Sequence, residues 1–267
     1  MENLTQLVSV ITPVHAPSIE YLAGAYASLT KQEMPPGWDW QWVVQEDGQT
    51  GALADVLPDD RRISLGTGRP GGPGVARTLA LSRVDGELIK VLDADDQLTP
   101  GALGRDIAAF DEHPQIGWTT SRVLDLLPDG STAGWDKDPA SGVIDRGAVL
   151  AFWQANDYRA SVHPATLCLR RDLVFALGGW MALPASEDTG LLLAANAVTA
   201  GYFTREYGLL YRKWPGQVTS QAAHREPAEY QARMRIIEAR AHALTSMIAK
   251  SFVLRAAAQS RGPGVLE

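Results

Sequence analysis

The sequence predicts an α/β protein in which helices flank a mostly parallel, Rossmann-like central sheet, followed by a smaller mixed region. The first observation is that four short apolar runs lie before Asp93, and each ends at Pro, Gly or an acidic residue. The second is that these strand-like runs alternate with helical patterns, which is typical of right-handed βαβ units covered on both faces. The third is a length of 267 residues with 45% apolar and 21% charged residues, which suits a buried core.

The elements of the first half follow from their residue types. Residues 7–12 are apolar and β-branched, and Pro13 ends the run, which predicts a buried strand. A helix is expected over residues 18–32, with Ser18 as its N-cap. The same criteria predict further strands over residues 42–45, 62–65 and 88–92 and a helix over residues 75–84.

The second half is more mixed. It suggests strands over residues 116–126 and 165–170 and helices over residues 143–156, 189–200 and 227–252. The last of these helices carries apolar residues at spacings of three and four, which form a seam. Packing of this seam on the body of the protein is expected, with a homodimer through the C-terminal helix as the alternative. The seam consists of Tyr230, Met234, Ile237, Ala241, Leu244 and Ile248.

Composition excludes several classes of function. A net charge of -7 without a basic stripe argues against a nucleic-acid partner. A single cysteine, Cys168, excludes an internal disulfide and fits a reducing compartment. No window approaches the roughly 18 apolar residues of a membrane span, and the N-terminus lacks the features of a signal peptide. We therefore expect a cytoplasmic protein with no transmembrane segment.

The segment VLDADDQLTP places three carboxylates, those of Asp93, Asp95 and Asp96, directly after a buried strand. In parallel sheets, ligands bind beyond the carboxyl ends of the strands, and Asp47 in QEDG follows another strand at the same edge. Magnesium or manganese accepts one or two carboxylates together with phosphate oxygens and water. The acids therefore predict a metal-bound nucleoside diphosphate, although a solvated helix N-terminus also favours acids.

Other motifs leave alternatives open. GTGRPG matches the dinucleotide fingerprint, but it follows the third strand, so it is a weak signal, and it lacks the GK[ST] of a P-loop. His15 suits a ligand or a structural role, and Arg77 suits a solvated charge or a nucleotide contact. Glu187 and Asp188 open an apolar helix, where they suit helix capping or general-base chemistry.

Five motifs and a late loop, in order, resemble those of family 2 glycosyltransferases, which have the GT-A fold, over about residues 7–220. VSVITPVHAP resembles the first strand and its proline turn, and VVQEDGQT resembles the DDGS element, with Glu46 in place of the first aspartate. GGPGVARTLAL resembles the GxxxARN helix, with Thr78 in place of asparagine. LDADD is the DxD motif, and GGWMALPASED resembles the segment that carries the catalytic base. The late loop YRKWPGQVTSQ has Trp214 where histidine is frequent.

The resemblance implies a role for each matching residue. Asp188 would be the base, with Glu187 supporting it or the acceptor. Asp95 would hold Mg²⁺ or Mn²⁺ against the diphosphate, and His224 would be a further candidate ligand. The resemblance assigns nucleotide-sugar binding to Pro13, His15, Asp47, Arg77, Asp93, Ala94 and Asp95, with Asp93 also near the metal.

The resemblance implies a metal-dependent inverting glycosyltransferase that moves a sugar from a nucleotide-diphospho-sugar donor to a small-molecule or glycan acceptor. Residues 1–222 would form the catalytic domain, with a donor half at 1–97 and an acceptor half at 98–222, and residues 223–267 would be a helical extension. A mobile lid is expected over residues 213–224. The alternatives are a sugar-nucleotide nucleotidyltransferase, disfavoured by PVHAPS in place of a basic Gly-rich loop, and a non-catalytic nucleotide-sugar binding module.

Overall fold

A computed structural model of the chain describes residues 5–135, 138–217 and 226–260, the last ten of them as backbone only. Within these residues the strands are β1 (Gln6–Val14), β2 (Trp38–Glu46), β3 (Ile63–Gly66), β4 (Leu88–Val91), β5 (Gln97–Leu98), β6 (Ile116–Leu126), β7 (Thr132–Ala133), β8 (Gly142–Ile144), β9 (Cys168–Arg170) and β10 (Ala200–Arg212). They form one sheet in the order β3-β2-β1-β4-β9-β6-β10-β5, with β7 beside β6 and β8 beside β10.

Helices cover both faces of the sheet. They are α1 (Leu22–Thr30), α2 (Ala52–Val56), α3 (Pro73–Ala80), α4 (Ala102–Glu112), α5 (Ala148–Ala155), α6 (Arg171–Ala176), α7 (Glu187–Val198) and α8 (Pro227–Ser260). Short 3-10 helices span Ala16–Tyr21, Leu81–Arg83 and Pro164–Thr166.

The first half of the sheet is parallel, as the sequence predicts. The pairs β1–β2, β1–β4 and β2–β3 are all parallel, and β1 is buried on both faces. Val8 and Val10 point into one core cluster and Ile11 into the other, which is why the strand reads as a continuous apolar run.

The second half of the sheet is mixed. Strand β9 runs antiparallel to both β4 and β6, so it joins the parallel first half to the parallel pair β6–β10. Cys168, in β9, is fully buried. On β4, the buried ammonium of Lys90 donates to the Asp106 carboxylate and to the Thr166 carbonyl, each at 2.7 Å.

Several predicted elements differ from those observed. The predicted helix over residues 18–32 begins as a 3-10 helix, and Ser18 does not cap it, because its hydroxyl donates to the His15 carbonyl at 2.9 Å. The predicted helix over residues 143–156 starts only after Gly147, whose φ of 83° ends the extended segment before it. The strand predicted over residues 165–170 is shortened to β9 because Pro164–Thr166 is a 3-10 helix.

The C-terminal helix α8 packs on α7 of the same chain. Met234, Ile237 and Ala241 are buried in the core, and Tyr230 and Leu244 pack against it. The predicted seam is therefore covered by the body of the protein as far as Leu244, which confirms the expected packing, and a homodimer through the C-terminal helix stays a prediction. The described helices include none that combines the length and the apolar character that a membrane span needs. The predicted boundary between residues 222 and 223 lies outside the described residues.

Candidate active site

A cavity of about 720 Å³ opens at the carboxyl ends of β1, β2 and β4, beside the first turn of α7. This is the edge at which parallel sheets bind ligands. Every predicted site residue in the described part of the chain lines this cavity: Pro13, His15, Asp47, Arg77, Asp93, Ala94, Asp95, Glu187 and Asp188. His224 and most of the segment predicted as a lid lie outside the described residues.

Asp47, just after β2, holds the loop that leads into α3. Its carboxylate accepts hydrogen bonds from the amides of Gly71 at 2.6 Å and of Gly72 at 3.0 and 3.1 Å. Gly72 has a φ of 86°, in the left-handed region that favours glycine. The sequence resemblance assigned Asp47 to nucleotide-sugar binding, and the structure shows a carboxylate that fixes one wall of the cavity.

Asp95 is engaged by the segment after β10. Its Oδ2 accepts a hydrogen bond from the Trp214 indole at 2.6 Å, and its backbone carbonyl accepts one from Arg212 Nε at 2.8 Å. Burial, and then the nearby Asp93 carboxylate, raise the pKa of Asp95, while the indole opposes them. Trp214, noted in the sequence only as a departure from histidine, therefore restrains the DxD carboxylate.

Asp96 has a structural contact. It is buried, and its Oδ1 accepts a hydrogen bond from the backbone N–H of Arg212 at 2.8 Å. Burial, and then the carboxylates of Asp93 and Asp95, raise its pKa well above the usual value. Asp96 thus ties the DxD segment to the end of β10.

Arg77 is surrounded by carboxylates. Its guanidinium, 2% exposed, contacts Asp93 Oδ1 at 2.5 Å, Glu187 Oε1 at 2.8 Å and Asp188 Oδ1 at 3.2 Å. Although burial alone would lower its pKa, the three carboxylates raise it. The sequence resemblance assigned Arg77 to nucleotide-sugar binding, and the contacts observed are with the acids of the LDADD and GGWMALPASED segments.

Helix α3 delivers Arg77 to these acids because Gly74 permits close packing. A Cβ on Gly74 would lie 2.6 Å from the Met181 carbonyl oxygen and 3.0 Å from Glu187 Cγ. The absence of a side chain therefore lets α3 approach α7 and the loop before it closely enough to form the ion pairs.

Asp188 lies in the first turn of α7, but its observed contacts are with side chains. Its Oδ1 accepts a hydrogen bond from the Trp180 indole N–H at 2.7 Å. Burial raises the pKa of Asp188 to about 8; Glu187 and Asp93 add to this effect and Arg77 opposes it. The preceding Ser186 has a φ of 65°, an uncommon conformation for a residue other than glycine. A carboxylate with a raised pKa at a cavity wall suits proton transfer near neutral pH.

The sequence analysis missed the wall formed by His163 and Tyr211, whose rings lie 5.0 Å apart. His163 Nδ1 accepts a hydrogen bond from the Ala165 N–H at 3.3 Å, which places the proton of the neutral ring on Nε2. Burial, and then Lys213, lower the pKa of His163 to about 4. The ring is therefore a neutral hydrogen-bond donor at pH 7. The local sequence SVHPAT carries no motif that marks this residue.

The described residues contain no group of three or more His, Cys, Asp or Glu side chains placed to hold a metal ion. Asp95 is the carboxylate best placed for one, since among the described side chains only the Trp214 indole contacts it, at Oδ2. Asp93 is engaged by Arg77. This donor set fits an ion that takes most of its ligands from phosphate and water.

The first half of the chain matches a known family. A profile described as "Glycosyl transferase family 2" matches residues 9–130, a segment that contains the DxD motif and Arg77 but ends before α7.

Two curated relatives are similar over a comparable stretch. The poly(ribitol-phosphate) beta-N-acetylglucosaminyltransferase TarS of Staphylococcus aureus is 33% identical over 111 residues, which are 39% of this chain and 19% of TarS. The O-antigen biosynthesis protein RfbC of Myxococcus xanthus is 30% identical over 116 residues, which are 41% of this chain and 9% of RfbC. The matched part is thus a fifth or less of the length of each relative.

The fold extends the likeness to nearly the whole chain. The crystal structure of residues 1–349 of S. aureus TarS in complex with UDP-GlcNAc superposes with a TM-score of 0.69 and 20% identity. The match covers 91% of this chain and 71% of that one. At this level of identity it shows a shared α/β fold of the GT-A type.

Proposed function

We propose that the chain is a family 2 glycosyltransferase, which transfers a sugar from a nucleotide-diphospho-sugar to a hydroxyl acceptor with inversion at the anomeric carbon. The observation that carries this proposal is that Asp95 and Asp188 line one cavity at the carboxyl edge of the sheet. One carboxylate is available to the leaving diphosphate and the other to the attacking hydroxyl.

The proposed donor is a UDP-sugar. The solved structure of TarS that shares this fold holds UDP-GlcNAc, and the matched family segment, residues 9–130, includes most of the predicted donor half, residues 1–97. The uridine would lie between Pro13, His15 and the loop that Asp47 holds through the amides of Gly71 and Gly72. These groups would bind and orient the donor.

Asp95, supported by Asp93, would hold Mg²⁺ or Mn²⁺ if the reaction uses one. Such an ion supplies positive charge to the diphosphate as it leaves. The chain's own contribution is the Trp214 indole, which fixes Oδ2 of Asp95 and so orients the carboxylate.

The proposed chemistry is a single displacement. The acceptor oxygen forms a bond to the anomeric carbon, the bond from that carbon to the diphosphate oxygen breaks, and the electron pair leaves with the nucleotide. Asp188 accepts the proton of the attacking hydroxyl, which is a poor nucleophile while it retains that proton. Attack from the face opposite the leaving group inverts the configuration.

Donor binding is tested first by thermal shift with UDP, dTDP and GDP, each with and without Mn²⁺. We expect UDP to raise the melting temperature most, with a further rise when Mn²⁺ is present. Asp95→Ala should lose the Mn²⁺-dependent part and keep its fold, since the change relieves repulsion from Asp93 and Asp96. An unchanged Mn²⁺ effect in this variant would contradict the metal assignment.

Turnover is tested by release of UDP from UDP-GlcNAc, with saccharides and polyols as acceptors. Acceptor-dependent release supports the transfer, whereas tight donor binding without release would indicate a non-catalytic binding module. The proposed acceptor is a small molecule or a glycan. The proposed setting is the cytoplasm, where a reduced Cys168 would be expected.

A further inference from the structure

We propose that Trp180 is a positioning residue that fixes the orientation of the Asp188 carboxylate, and that Thr78 fixes Trp180 in turn. The inference rests on the proposed function, in which Asp188 receives the acceptor proton. Its basis is a set of contacts that links α3, the loop before α7 and α7 itself.

The first step is the asymmetry of the contacts to Asp188. The Trp180 indole N–H donates to Oδ1 at 2.7 Å, and Arg77 Nη1 lies 3.2 Å from the same oxygen. Among the described residues, no group donates to Oδ2. Two contacts on one oxygen restrict rotation of the carboxylate, so the second oxygen remains available for a proton from the acceptor.

The second step is the restraint on Trp180. The Thr78 hydroxyl accepts a hydrogen bond from the Trp180 backbone N–H at 3.1 Å and lies 3.2 Å from the Trp180 carbonyl oxygen, to which it donates. Both backbone groups of Trp180 are therefore tied to α3. This contact gives a role to Thr78, where the sequence departs from the family pattern.

The third step compares Trp180 with other buried tryptophans, whose indole N–H groups do not all have a hydrogen-bond partner. The indole N–H groups of the buried Trp118 and Trp153 have no hydrogen-bond partner in the described structure. Trp180, which is also buried, instead donates to a carboxylate at the cavity wall. Burial alone therefore does not explain the hydrogen bond between the Trp180 indole and the Asp188 carboxylate, because other buried indoles in this protein lack one.

The charged groups that face Asp188 are few. Arg77 approaches from α3, Asp93 from the end of β4, and Glu187 precedes it on α7. On α8, which packs against α7, Arg233 pairs with Glu229 at 2.9 Å. Trp180 is the neutral donor to Asp188, so its removal changes hydrogen bonding to the base without changing the formal charge of the site.

The test is Trp180→Phe, which keeps an aromatic ring and removes the N–H. We expect kcat to fall by roughly 10- to 100-fold, since misplacement of a reacting group costs up to about 100-fold. The KM for the donor should stay within about twofold. The acidic limb of the kcat–pH profile should move to higher pH, because a carboxylate that loses a hydrogen-bond donor is harder to ionise.

Trp42→Phe is the matched control. Trp42 donates its indole N–H to Thr12 Oγ1 at 2.8 Å, and neither residue lines the cavity. This variant should lose stability but keep the pH profile of the wild type. At Thr78, Thr78→Ser should retain activity and Thr78→Val should behave like Trp180→Phe.

A pH profile and kcat in Trp180→Phe equal to those of an active wild type would overturn this inference and leave the proposed function intact. Absence of UDP release from the wild type would instead contradict the proposed function. In that case, the role of Trp180 is tested by the unfolding free energy. Trp180→Phe should lower the unfolding free energy more at high pH than at low pH, because the lost hydrogen bond stabilises the ionised Asp188 carboxylate. In an Asp188→Asn background, this difference between high and low pH should disappear. A pH-independent loss would contradict the inference.

Discussion

Lys90 and Arg77 are both buried cations, but their surroundings differ in charge balance. Lys90 faces one carboxylate, Asp106, and one carbonyl, and the other Asp106 oxygen accepts the Thr119 hydroxyl at 2.6 Å. The pair is neutral, each of its groups is hydrogen-bonded, and it lies away from the cavity. Such a closed pair stabilises one arrangement of the core.

Arg77 faces three carboxylates and lies against the cavity, so its cluster carries excess negative charge. Like charges are costly to bury without a counter-charge. The difference indicates that the Lys90 pair stabilises the fold. The excess negative charge of the Arg77 cluster can instead be neutralised by a proton or by a positively charged ligand. Four experiments test this distinction.

Asp188→Asn should have the largest effect on activity. Asparagine keeps the shape of the side chain but cannot accept the proton, so kcat should fall by about 10² to 10⁴, with donor affinity within a few-fold. Stability should be maintained, because the change removes one of three like charges around Arg77. Steady-state kinetics and urea denaturation measure the two effects. Retention of most of the wild-type kcat would place the base elsewhere, with Glu187 as the next candidate.

Asp106→Asn makes the same substitution at the other cation and should have the opposite effect. It leaves the Lys90 ammonium without its counter-charge in the core, which typically costs about 3–5 kcal/mol of unfolding free energy. At a temperature where the variant is folded, kcat should match the wild type. Urea denaturation gives the loss, and a variant as stable as the wild type would refute the structural role of the pair.

The pH dependence should also separate the two regions. Burial raises the pKa of Asp188 to about 8, above the value of about 3.9 in an unfolded chain. The stability that this group contributes is therefore fully present below about pH 4 and is lost as the pH rises through about 8. The proposed base must be ionised, so kcat should rise over the upper part of that range. The prediction is checked by measuring kcat and the unfolding free energy of the wild type across this pH range. Asp188→Asn should lack the pH-dependent part of the stability that comes from Asp188. A wild-type kcat that is constant between about pH 6 and 9 would contradict the prediction.

Gly74→Ala should have the smallest effect. The new Cβ forces α3 away from the Met181 carbonyl oxygen, 2.6 Å distant, and so displaces Arg77. We expect kcat to fall about tenfold, less than the roughly 100-fold attributed to large misplacement. Gly104→Ala in α4 is the control, since its Cβ would lie 3.4 Å from the Glu33 carbonyl oxygen; it should leave kcat unchanged.

The sequence predicted an element accurately where the pattern of apolar residues is regular along its whole length. Strand β6 was expected over residues 116–126 and is observed as Ile116–Leu126. Strand β10, of 13 residues, was not delimited. Its pairing with β6 shifts register between Thr204 and Tyr207, and the exposed Arg205 and Glu206 interrupt the apolar pattern there. A bulged strand lacks the regular alternation on which sequence prediction depends.

The location of the site was predictable, but its contacts were not. The rule that ligands bind at the carboxyl edge of a parallel sheet placed Asp47, Asp93 and Asp95 together. The partners of these acids come from distant segments: Trp214 is 119 positions from Asp95, and Glu187 is 110 positions from Arg77. Such pairs depend on how helices and loops pack, which no local motif encodes. For this reason the sequence did not predict the contacts of Arg77 with the carboxylates or that of Trp180 with Asp188.

The position of β9 also gives the protein an internal reporter. Its Cys168 thiol is fully buried, and burial raises its pKa well above the usual value, so a thiol reagent reaches a reactive thiolate only when the strand detaches. Because β9 is the strand that joins β4 to β6, the alkylation rate of this single cysteine reports separation of the parallel first half of the sheet from the rest.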